Sequence, residues 1–278
     1  METISFKTLE ILDWGSLPYG EAFERQLALV EDRIAGLSTD RLVLVEHPHV
    51  ITIGRSGGLK DLHVSKEGLH RRGVELYQVD RGGMATFHGP GQMVAYPIIK
   101  LQQKDLHQYL WTLLRTVATV LRCYGLEPIF KERRPGIWVR SSKIASVGIA
   151  VRRWVTYHGI ALNVNADLKA FNLIVPCGHP GETITSMEQA LGKSIDLEEV
   201  KRYFIKEFRK SFKYSDGSAE NAKSPLIKWR KGPPTTFTKI VKQNKQPLNT
   251  EENNESDEDP GDGFEKWENN YWQNTSWY

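Results

Sequence analysis

The chain has 278 residues, of which 40% are hydrophobic and 26% are charged, and its net charge is +3. This length allows a sizeable core and fits one large domain, or one domain with an appendage. No window approaches the roughly 18 uninterrupted apolar residues of a membrane span, and residues 1–7 lack the basic and apolar regions of a signal peptide. We therefore expect a cytoplasmic globular protein that does not bind a membrane.

The charge is unevenly distributed along the chain. Residues 245–278 contain nine acids and two bases, which leaves residues 1–244 with a net charge of +10. That basic part would attract an acidic partner, either a nucleic acid or an acidic protein, unless its arginines form an ordinary solvated surface. Its paired cations are Arg71-Arg72, Arg133-Arg134 and Arg152-Arg153.

The hydrophobic pattern predicts four strands and one helix before residue 81. The helix enters through Pro18 and ends at Gly36, and its apolar residues recur at three- and four-residue spacing. In chain order the predicted elements are a strand over 5–12, the helix over 19–35, and strands over 41–46, 50–54 and 74–80.

Residues 81–96 form a glycine-rich stretch, with four glycines and one proline in the first eleven residues. Glycine lets the backbone approach a ligand where a Cβ would clash, so the stretch predicts either a loop that wraps a ligand or a turn between two strands. The apolar, β-prone run over 93–99 predicts that this loop enters a buried strand.

The apolar period lengthens after residue 100 and predicts a helix that begins at Asp105, its N-cap, and ends at Gly125. Three antiparallel strands follow over 136–140, 143–152 and 156–164. A last helix is predicted over 197–212, after Asp196. Residues 251–262 are acidic and nearly devoid of aliphatic side chains, which predicts a mostly disordered tail over 215–278 behind a folded domain over 1–214.

Two polar side chains stand in settings that favour chemistry. Lys143 leads an apolar strand, where burial would suit it to act as a general base; the alternative is a lysine at the hairpin end that points to water. Cys177 lies between a proline that fixes φ and a glycine that permits close approach, so it is either a presented nucleophile or a structural cysteine. Cys123 is expected to be buried and inert. The two cysteines predict neither a metal site nor a disulfide.

Four blocks of the sequence resemble the lipoyl(octanoyl) transferase family in order and in spacing. The resemblance covers roughly residues 5–212. The blocks are Arg81-Gly82-Gly83-x-x-Thr86-Phe87-His88-Gly89-Pro90-Gly91-Gln92 with Tyr96, Lys143-Ile144-x-x-x-Gly148, His158-Gly159-x-Ala161-Leu162-Asn163-Val164-Asn165, and Pro176-Cys177-Gly178.

The resemblance implies an α/β (α+β) fold, a mixed β-sheet with flanking helices of the biotin/lipoate protein ligase-like kind. It implies transfer of an octanoyl or lipoyl group from acyl carrier protein to a lysine of a lipoyl domain, through a cysteine thioester, as the first step of endogenous protein lipoylation. The implied acceptors are the lipoyl domains of 2-oxoacid dehydrogenase complexes and the glycine cleavage H protein. No cofactor, metal or nucleic acid is implied.

The resemblance assigns catalysis to Cys177 and Lys143. The glycine amides of the loop are candidates for stabilising an oxyanion, the small strand residues leave room for an alkyl chain, and His88 and His158 either fix the loop or act as bases. The residues assigned to substrate binding are Arg81, Gly82, Gly83, Met84, Ala85, Thr86, Phe87, His88, Ser146, Val147, Gly148, Gly159, Ile160 and Ala161.

Residues 178–187 read Gly-His-Pro-Gly-Glu-Thr-Ile-Thr-Ser-Met and depart from the aromatic-rich form found in many members of the family. This departure concerns substrate preference and leaves the class of reaction unchanged. Two alternatives stay open at this point: an ATP-dependent lipoate or biotin ligase on the same fold, and a non-catalytic module that binds acyl groups or proteins. The chain lacks a GxxxxGK[ST] phosphate loop, but such ligases bind ATP in another way.

Overall fold

A computed structural model describes residues 7–132, 134–176 and 181–215. Cys177, Gly178 and Arg133 lie outside the described residues, and so does nearly all of the predicted acidic tail. The predicted domain boundary at residue 214 and the disorder of the tail stay predictions.

Ten strands and five α-helices make up the regular structure of the described part, together with 3₁₀ turns at Leu59–Asp61 and Leu168–Leu173. The strands are β1 (Leu9–Ser16), β2 (Asp40–Glu46), β3 (Val50–Ile53), β4 (Glu75–Gln78), β5 (Ala85–His88), β6 (Gln92–Ile98), β7 (Pro128–Lys131), β8 (Arg134–Val139), β9 (Ser142–Arg152) and β10 (Val155–Asn163). The helices are α1 (Tyr19–Ile34), α2 (Lys66–His70), α3 (Leu106–Cys123), α4 (Met187–Leu191) and α5 (Leu197–Ser211).

The strands form two sheets. The larger sheet has the order β1-β2-β6-β10-β9-β8-β7, in which β1 and β2 are parallel and all other neighbours are antiparallel. The smaller sheet has the order β4-β3-β5. This mixed arrangement, with helices packed on the larger sheet, confirms the predicted fold class.

Two apolar layers enclose the larger sheet. On one face α3 and α5 pack against the strands, with Val117, Leu121, Phe204 and Phe208 in one core with residues of β2, β6 and β10. On the other face α1 packs on β2, β6 and β10 in a second core. The smaller sheet has a core of its own, built around Phe87. The face that carries α1 is the one that also carries the cavity of the candidate site.

Local signals predicted the three long helices, α1, α3 and α5, but not the short helices α2 and α4. Pro18 precedes α1, Asp105 accepts a hydrogen bond from the backbone of Gln108 at the start of α3, and Asp196 caps α5 in the same way. Gly36 and Gly125 follow α1 and α3 with positive φ, as a helix stop requires. The predicted three-stranded meander is confirmed as β8, β9 and β10.

Three predictions of strands need correction. The first strand runs over Leu9–Ser16, four residues later than predicted, because its position is set by pairing with β2. Four residues of the glycine-rich stretch, Ala85–His88, form strand β5, which pairs with β3. Strand β7 was not predicted, because it is an edge strand of only four residues that begins with Pro128.

The prediction for Cys123 is wrong, because its side chain is exposed. The helix α3 buries Val117, Val120 and Leu121. Cys123 is the last residue of α3, beyond these buried positions, and its side chain faces solvent. Among the helices that the structure describes, none has both the length and the apolar character needed to cross a membrane.

The packing of α5 predicts a large difference between two neighbouring aromatic residues. Phe204 is fully buried, whereas Tyr203 is 37% exposed. We expect Phe204→Ala to lower the free energy of unfolding by about 3–5 kcal/mol and Tyr203→Ala by less than about 1 kcal/mol, measured by urea unfolding. Equal losses in the two variants would contradict the placement of α5 on the sheet.

Candidate active site

A cavity of about 250 Å³ lies between the larger sheet and the glycine-rich segment. Strands β6, β8, β9 and β10 supply one wall, and β5 with the residues before it supplies the other. The lining residues are Tyr19, Ser56, Arg81, Gly83, Met84, Ala85, Thr86, His88, Val94, Tyr96, Arg134, Pro135, Trp138, Lys143, Ser146, Val147, Gly148, His158, Gly159, Ile160 and Ala161.

The structure brings together most of the residues that the sequence assigned to the site. Two of them, Gly82 and Phe87, do not line the cavity. Successive side chains of a strand point to opposite faces, so Thr86 and His88 face the cavity while Phe87 packs into the core of the smaller sheet, against Phe171. The backbone N–H of Gly82 donates to the carbonyl of Ile149 at 3.0 Å, so this amide links the loop to β9 and is not a candidate oxyanion donor.

Arg81 holds the glycine-rich segment in its bent shape. Its side chain is buried, and its guanidinium donates to backbone carbonyl oxygens of Thr52, Gly82 and Met84 at 2.8–3.0 Å. It also donates to the hydroxyl of Thr52. A buried cation needs such partners, and here the partners belong to the loop and to β3. Arg81 therefore shapes one wall of the cavity.

A second backbone segment lies directly against this loop. The N–H groups of Gly54 and Ser56 donate to the carbonyls of Met84 and Gly83, each at 3.2 Å. A Cβ at Gly54 would lie 2.3 Å from the carbonyl oxygen of Gly83, a distance that no side chain tolerates. Glycine at position 54 is therefore required for the two segments to meet.

The small residues on β9 and β10 serve packing as well as space. A Cβ on Gly148 would lie 2.8 Å from the carbonyl oxygen of Gly82, and one on Gly159 would lie 2.1 Å from that of Ala95. The sequence analysis attributed both glycines to room for an alkyl chain. The structure shows that they also let the loop and strand β6 approach the sheet.

Lys143 is buried, with 3% of its surface exposed, so the alternative of a lysine pointing to water is wrong. Its backbone N–H donates to Thr183 at 2.8 Å, and its carbonyl accepts from Thr185 at 2.9 Å. Its side chain runs across Gly136, where a Cβ would lie 2.4 Å from the lysine Cε, and its Nζ lies 5.1 Å from the ring centroid of Trp138. Backbone and side chain are both fixed at the cavity.

The predicted nucleophile, Cys177, lies outside the described residues, but its neighbours in the chain are held in place. Val175 donates to the carbonyl of Asp61 at 2.8 Å, and Ile174 forms a bridge with Leu62. On the other side, Thr183 and Thr185 bracket Lys143. The residues before Cys177 are therefore anchored at Asp61 and Leu62, and those that follow residue 180 are anchored at the lysine.

Two buried histidines near the start of α1 are neutral. The two ring nitrogens of His47 form hydrogen bonds with the carbonyl of Leu17 and the hydroxyl of Tyr96, each at 2.7 Å. Because a carbonyl oxygen can only accept, Nδ1–H of His47 donates to Leu17. The hydroxyl of Tyr96 therefore donates to Nε2. By the same reasoning Nδ1–H of His88 donates to the amide oxygen of Gln92. Burial lowers the pKa of His47 to about 4 and is the main cause that lowers the pKa of His88 to about 3.

His158 is a second histidine of the cavity wall, beside His88. Its backbone has a φ of +53°, which is uncommon for a residue with a side chain, and its Nε2 lies 2.9 Å from a carboxyl oxygen of Asp80. Burial lowers the pKa of His158. Burial opposes ionisation of Asp80, but hydrogen bonding to His158 and Tyr157 lowers the pKa of the carboxyl. This contact ties β10 to the residue that precedes Arg81, which supports a role in fixing the loop.

Several lining residues escaped the sequence analysis, chiefly Tyr19, Trp138 and Arg134. Arg134 was grouped with Arg133 as a surface pair, but its guanidinium donates to Glu182 at 2.6 Å and it lines the cavity. The sequence Arg134-Pro135-Gly136 beside an aromatic residue was the available signal. It was missed because the partner, Glu182, is 48 residues away.

Comparison with known proteins assigns this chain to one protein family. The model of the family "Lipoyl protein ligase A/B catalytic domain" matches residues 18–209. The chain belongs to this family.

Two relatives show which members of the family this chain is similar to. The chain is 44% identical over 214 residues to an octanoyltransferase of Nitratidesulfovibrio vulgaris, covering 76% of this chain and 98% of the relative. It is 45% identical over 197 residues to an octanoyltransferase of Rubrobacter xylanophilus, covering 70% of this chain and 89% of the relative.

Solved structures with the same fold are more distant in sequence. A putative lipoate protein ligase from T. acidophilum with bound lipoic acid has a TM-score of 0.57 and 18% identity, over 73% of this chain and 85% of that one. Another match is the T. acidophilum bipartite lipoate protein ligase, described with its E2 lipoyl domain, with a TM-score of 0.58 and 17% identity over 73% of this chain and 83% of that one. These likenesses concern the fold.

The neutral histidines predict that acid destabilises the fold. Unfolded histidine takes up a proton near pH 6.5, whereas folded His47 does so near pH 4 and folded His88 near pH 3. Between those values the unfolded state binds more protons, so the free energy of unfolding falls as the pH falls, by up to about 1.4 kcal/mol per pH unit for each histidine. Urea unfolding between pH 7 and pH 4.5 measures this slope.

The matched variant for this prediction is His88→Asn, which removes one of the two titrating groups. We expect its stability to depend less steeply on pH than that of the wild type, whatever its stability at pH 7. An identical slope in the two proteins would show that His88 is not held neutral by burial.

Proposed function

We propose that this protein transfers an octanoyl or lipoyl group from acyl carrier protein to a lysine of a lipoyl domain, through a thioester on Cys177. The observation that carries the proposal is the buried Lys143, fixed at one end of a cavity by the segment that follows Cys177. The names of the relatives support the octanoyl group, and the enzyme is an acyltransferase.

The first step exchanges one thioester for another. The thiolate of Cys177 attacks the carbonyl carbon of the acyl thioester, the tetrahedral oxyanion collapses, and the carrier thiolate leaves and takes up a proton. Because the bond broken and the bond formed are both thioesters, this step has little thermodynamic cost. The backbone amides of Gly83 and Met84, which line the cavity, are the remaining loop candidates for stabilising the oxyanion.

The second step forms an amide. The amine of the acceptor lysine attacks the acyl-enzyme, the thiolate of Cys177 leaves, and the amine proton passes to a base. Lys143 serves both steps in turn: as a cation it stabilises the thiolate, and as a neutral amine it accepts the proton of the incoming lysine. A thioester converted to an amide makes the overall transfer favourable.

The cavity fits a short alkyl chain. Its volume of about 250 Å³ lies below the range of about 300–1,000 Å³ that is typical of drug-sized ligands. Its middle is lined by Val94, Val147, Ile160 and Ala161, which offer an apolar surface. A straight acyl chain along these side chains would replace water at no cost in unpaired polar groups.

The partners follow from the reaction and from the charge. A net charge of +10 over residues 1–244 suits an acidic carrier protein as the donor. The acceptors are the lipoyl domains of 2-oxoacid dehydrogenase complexes and the glycine cleavage H protein, in the cytoplasm. The archaeal ligase described with its E2 lipoyl domain supports a lipoyl domain as the acceptor.

The covalent step can be tested directly. Purified protein is incubated with octanoyl-acyl carrier protein without ATP and analysed by intact and peptide mass spectrometry. We expect one octanoyl adduct on Cys177 that disappears when a lipoyl domain is added. A requirement for ATP would favour the ligase alternative, and the absence of any adduct or transfer would favour the binding module.

Substitution of each of the two cysteines distinguishes the nucleophile from a cysteine that takes no part in the reaction. We expect Cys177→Ala to abolish the adduct and the transfer, because no other thiol can form the thioester. Cys123→Ala is the matched control, since Cys123 is exposed at the end of α3, and it should keep both activities. Full transfer by Cys177→Ala would exclude the covalent route.

Removal of the lysine tests its role as a base. We expect Lys143→Ala to slow transfer by about 10²–10⁴-fold and to raise the pH at which iodoacetamide alkylates Cys177. Lys210→Ala, which changes an exposed lysine of α5, should leave both unchanged. An alkylation profile that does not move in Lys143→Ala would place Lys143 outside the chemistry.

A further inference from the structure

One buried carboxylate in the described residues has no part in the proposed chemistry, yet it lies behind the catalytic lysine. Only 3% of the side chain of Glu182 is exposed. One of its oxygens accepts from the indole N–H of Trp138 at 2.9 Å, and the other accepts from the guanidinium of Arg134 at 2.6 Å. The ammonium of Lys131 lies 3.8 Å away.

The geometry points to Glu182 as a positioning residue that acts through Trp138 on Lys143; this inference rests on the proposed function. The indole of Trp138 is fully buried and lies under the ammonium of Lys143, 5.1 Å from it. A cation over an indole face is attracted by the ring, so the orientation of the ring decides where the ammonium is held. The hydrogen bond to Glu182 fixes that orientation.

The same short segment also holds the backbone of the lysine. Thr183 and Thr185 exchange hydrogen bonds with Lys143 at 2.8 and 2.9 Å, and the hydroxyl of Ser142 donates to that of Thr183 at 2.9 Å. Glu182 is the neighbour of Thr183, so one segment determines the position of the Lys143 backbone and also that of its ammonium group. If the ion pair between Glu182 and Arg134 had a structural role only, Glu182 would not need to bind Trp138, the residue that contacts the lysine.

Arg134 adds a second reason to place the carboxylate here. Its guanidinium lies at the cavity wall, where an unpaired cation would repel the ammonium of Lys143. The pair with Glu182 balances that charge.

The test uses the full chain with Cys123→Ala, because the exposed Cys123 would otherwise react with an alkylating agent. In this background we compare four variants: Glu182→Ala, Glu182→Gln, Lys143→Ala, and the double variant that combines Glu182→Ala with Lys143→Ala. The readouts are kcat and KM for octanoyl transfer to a lipoyl domain, and the rate at which iodoacetamide alkylates Cys177.

We expect Glu182→Ala to lower kcat by between about tenfold and 100-fold, the effect of a small misplacement, while KM for the octanoyl donor stays within about twofold. Alkylation of Cys177 should slow as well. Glu182→Gln keeps an oxygen that can accept from the indole but loses the charge that balances Arg134, so it should restore part of kcat and part of the alkylation rate. In the Lys143→Ala background the further change Glu182→Ala should have no effect, because the residue through which it acts is gone.

Two results would overturn the inference: wild-type kcat in Glu182→Ala, or a loss in the double variant that equals the product of the two single losses. If Glu182→Ala fails to fold, Trp138→Phe replaces it, because phenylalanine keeps a ring face but cannot donate to Glu182. Trp138→Phe should then lower kcat, and Lys143→Ala should cancel the effect. Failure of the proposed function is distinct, since the wild type would then form no octanoyl adduct on Cys177.

Discussion

The site depends on the two backbone hydrogen bonds between Lys143 and the segment that contains Thr183 and Thr185. They attach residues 183–185 to β9, an inner strand of the larger sheet that lies between β10 and β8. Without them β9 would present Lys143 to solvent at the start of a hairpin. With them, the lysine is covered, its side chain lies between Gly136 and Trp138, and the cavity has a closed end.

The opposite wall depends on a different kind of constraint, a buried cation. The guanidinium of Arg81 is satisfied by oxygens of Thr52, Gly82 and Met84, so the loop must keep these carbonyls turned inward. Hydrogen bonds from Gly54 and Ser56 hold the same loop from outside. Glycine is needed at position 54, where these backbones meet, and at position 83, where φ is +86°.

Sequence patterns predicted what is determined locally. The residues that begin and end a helix lie within a few positions of it in the sequence, and Asp105 and Asp196 are the N-caps of α3 and α5. Burial of Lys143 was not decided by its neighbours, because the residues that cover it are 40 positions further along the chain. The exposed Cys123 and strand β5 were missed for the same reason: the face of a helix that is buried, and the partner of a strand, are fixed by distant parts of the chain.

The charges around the cavity are distributed unevenly, and this distribution indicates the direction of the acyl chain. Near α1 the wall contains the neutral His88 and also Tyr19 and Tyr96, whose pKa values burial raises. Arg81 lies near these groups as well, but its guanidinium is occupied by carbonyl oxygens of Thr52, Gly82 and Met84. The ionisable groups Lys143 and Arg134, with Glu182 behind them, lie at the other end. A region whose cation is already paired with carbonyl oxygens suits the end of an alkyl chain, whereas a thiolate and an oxyanion need nearby cations and donors. The acyl carbonyl is therefore expected beside Lys143, with the chain directed towards α1.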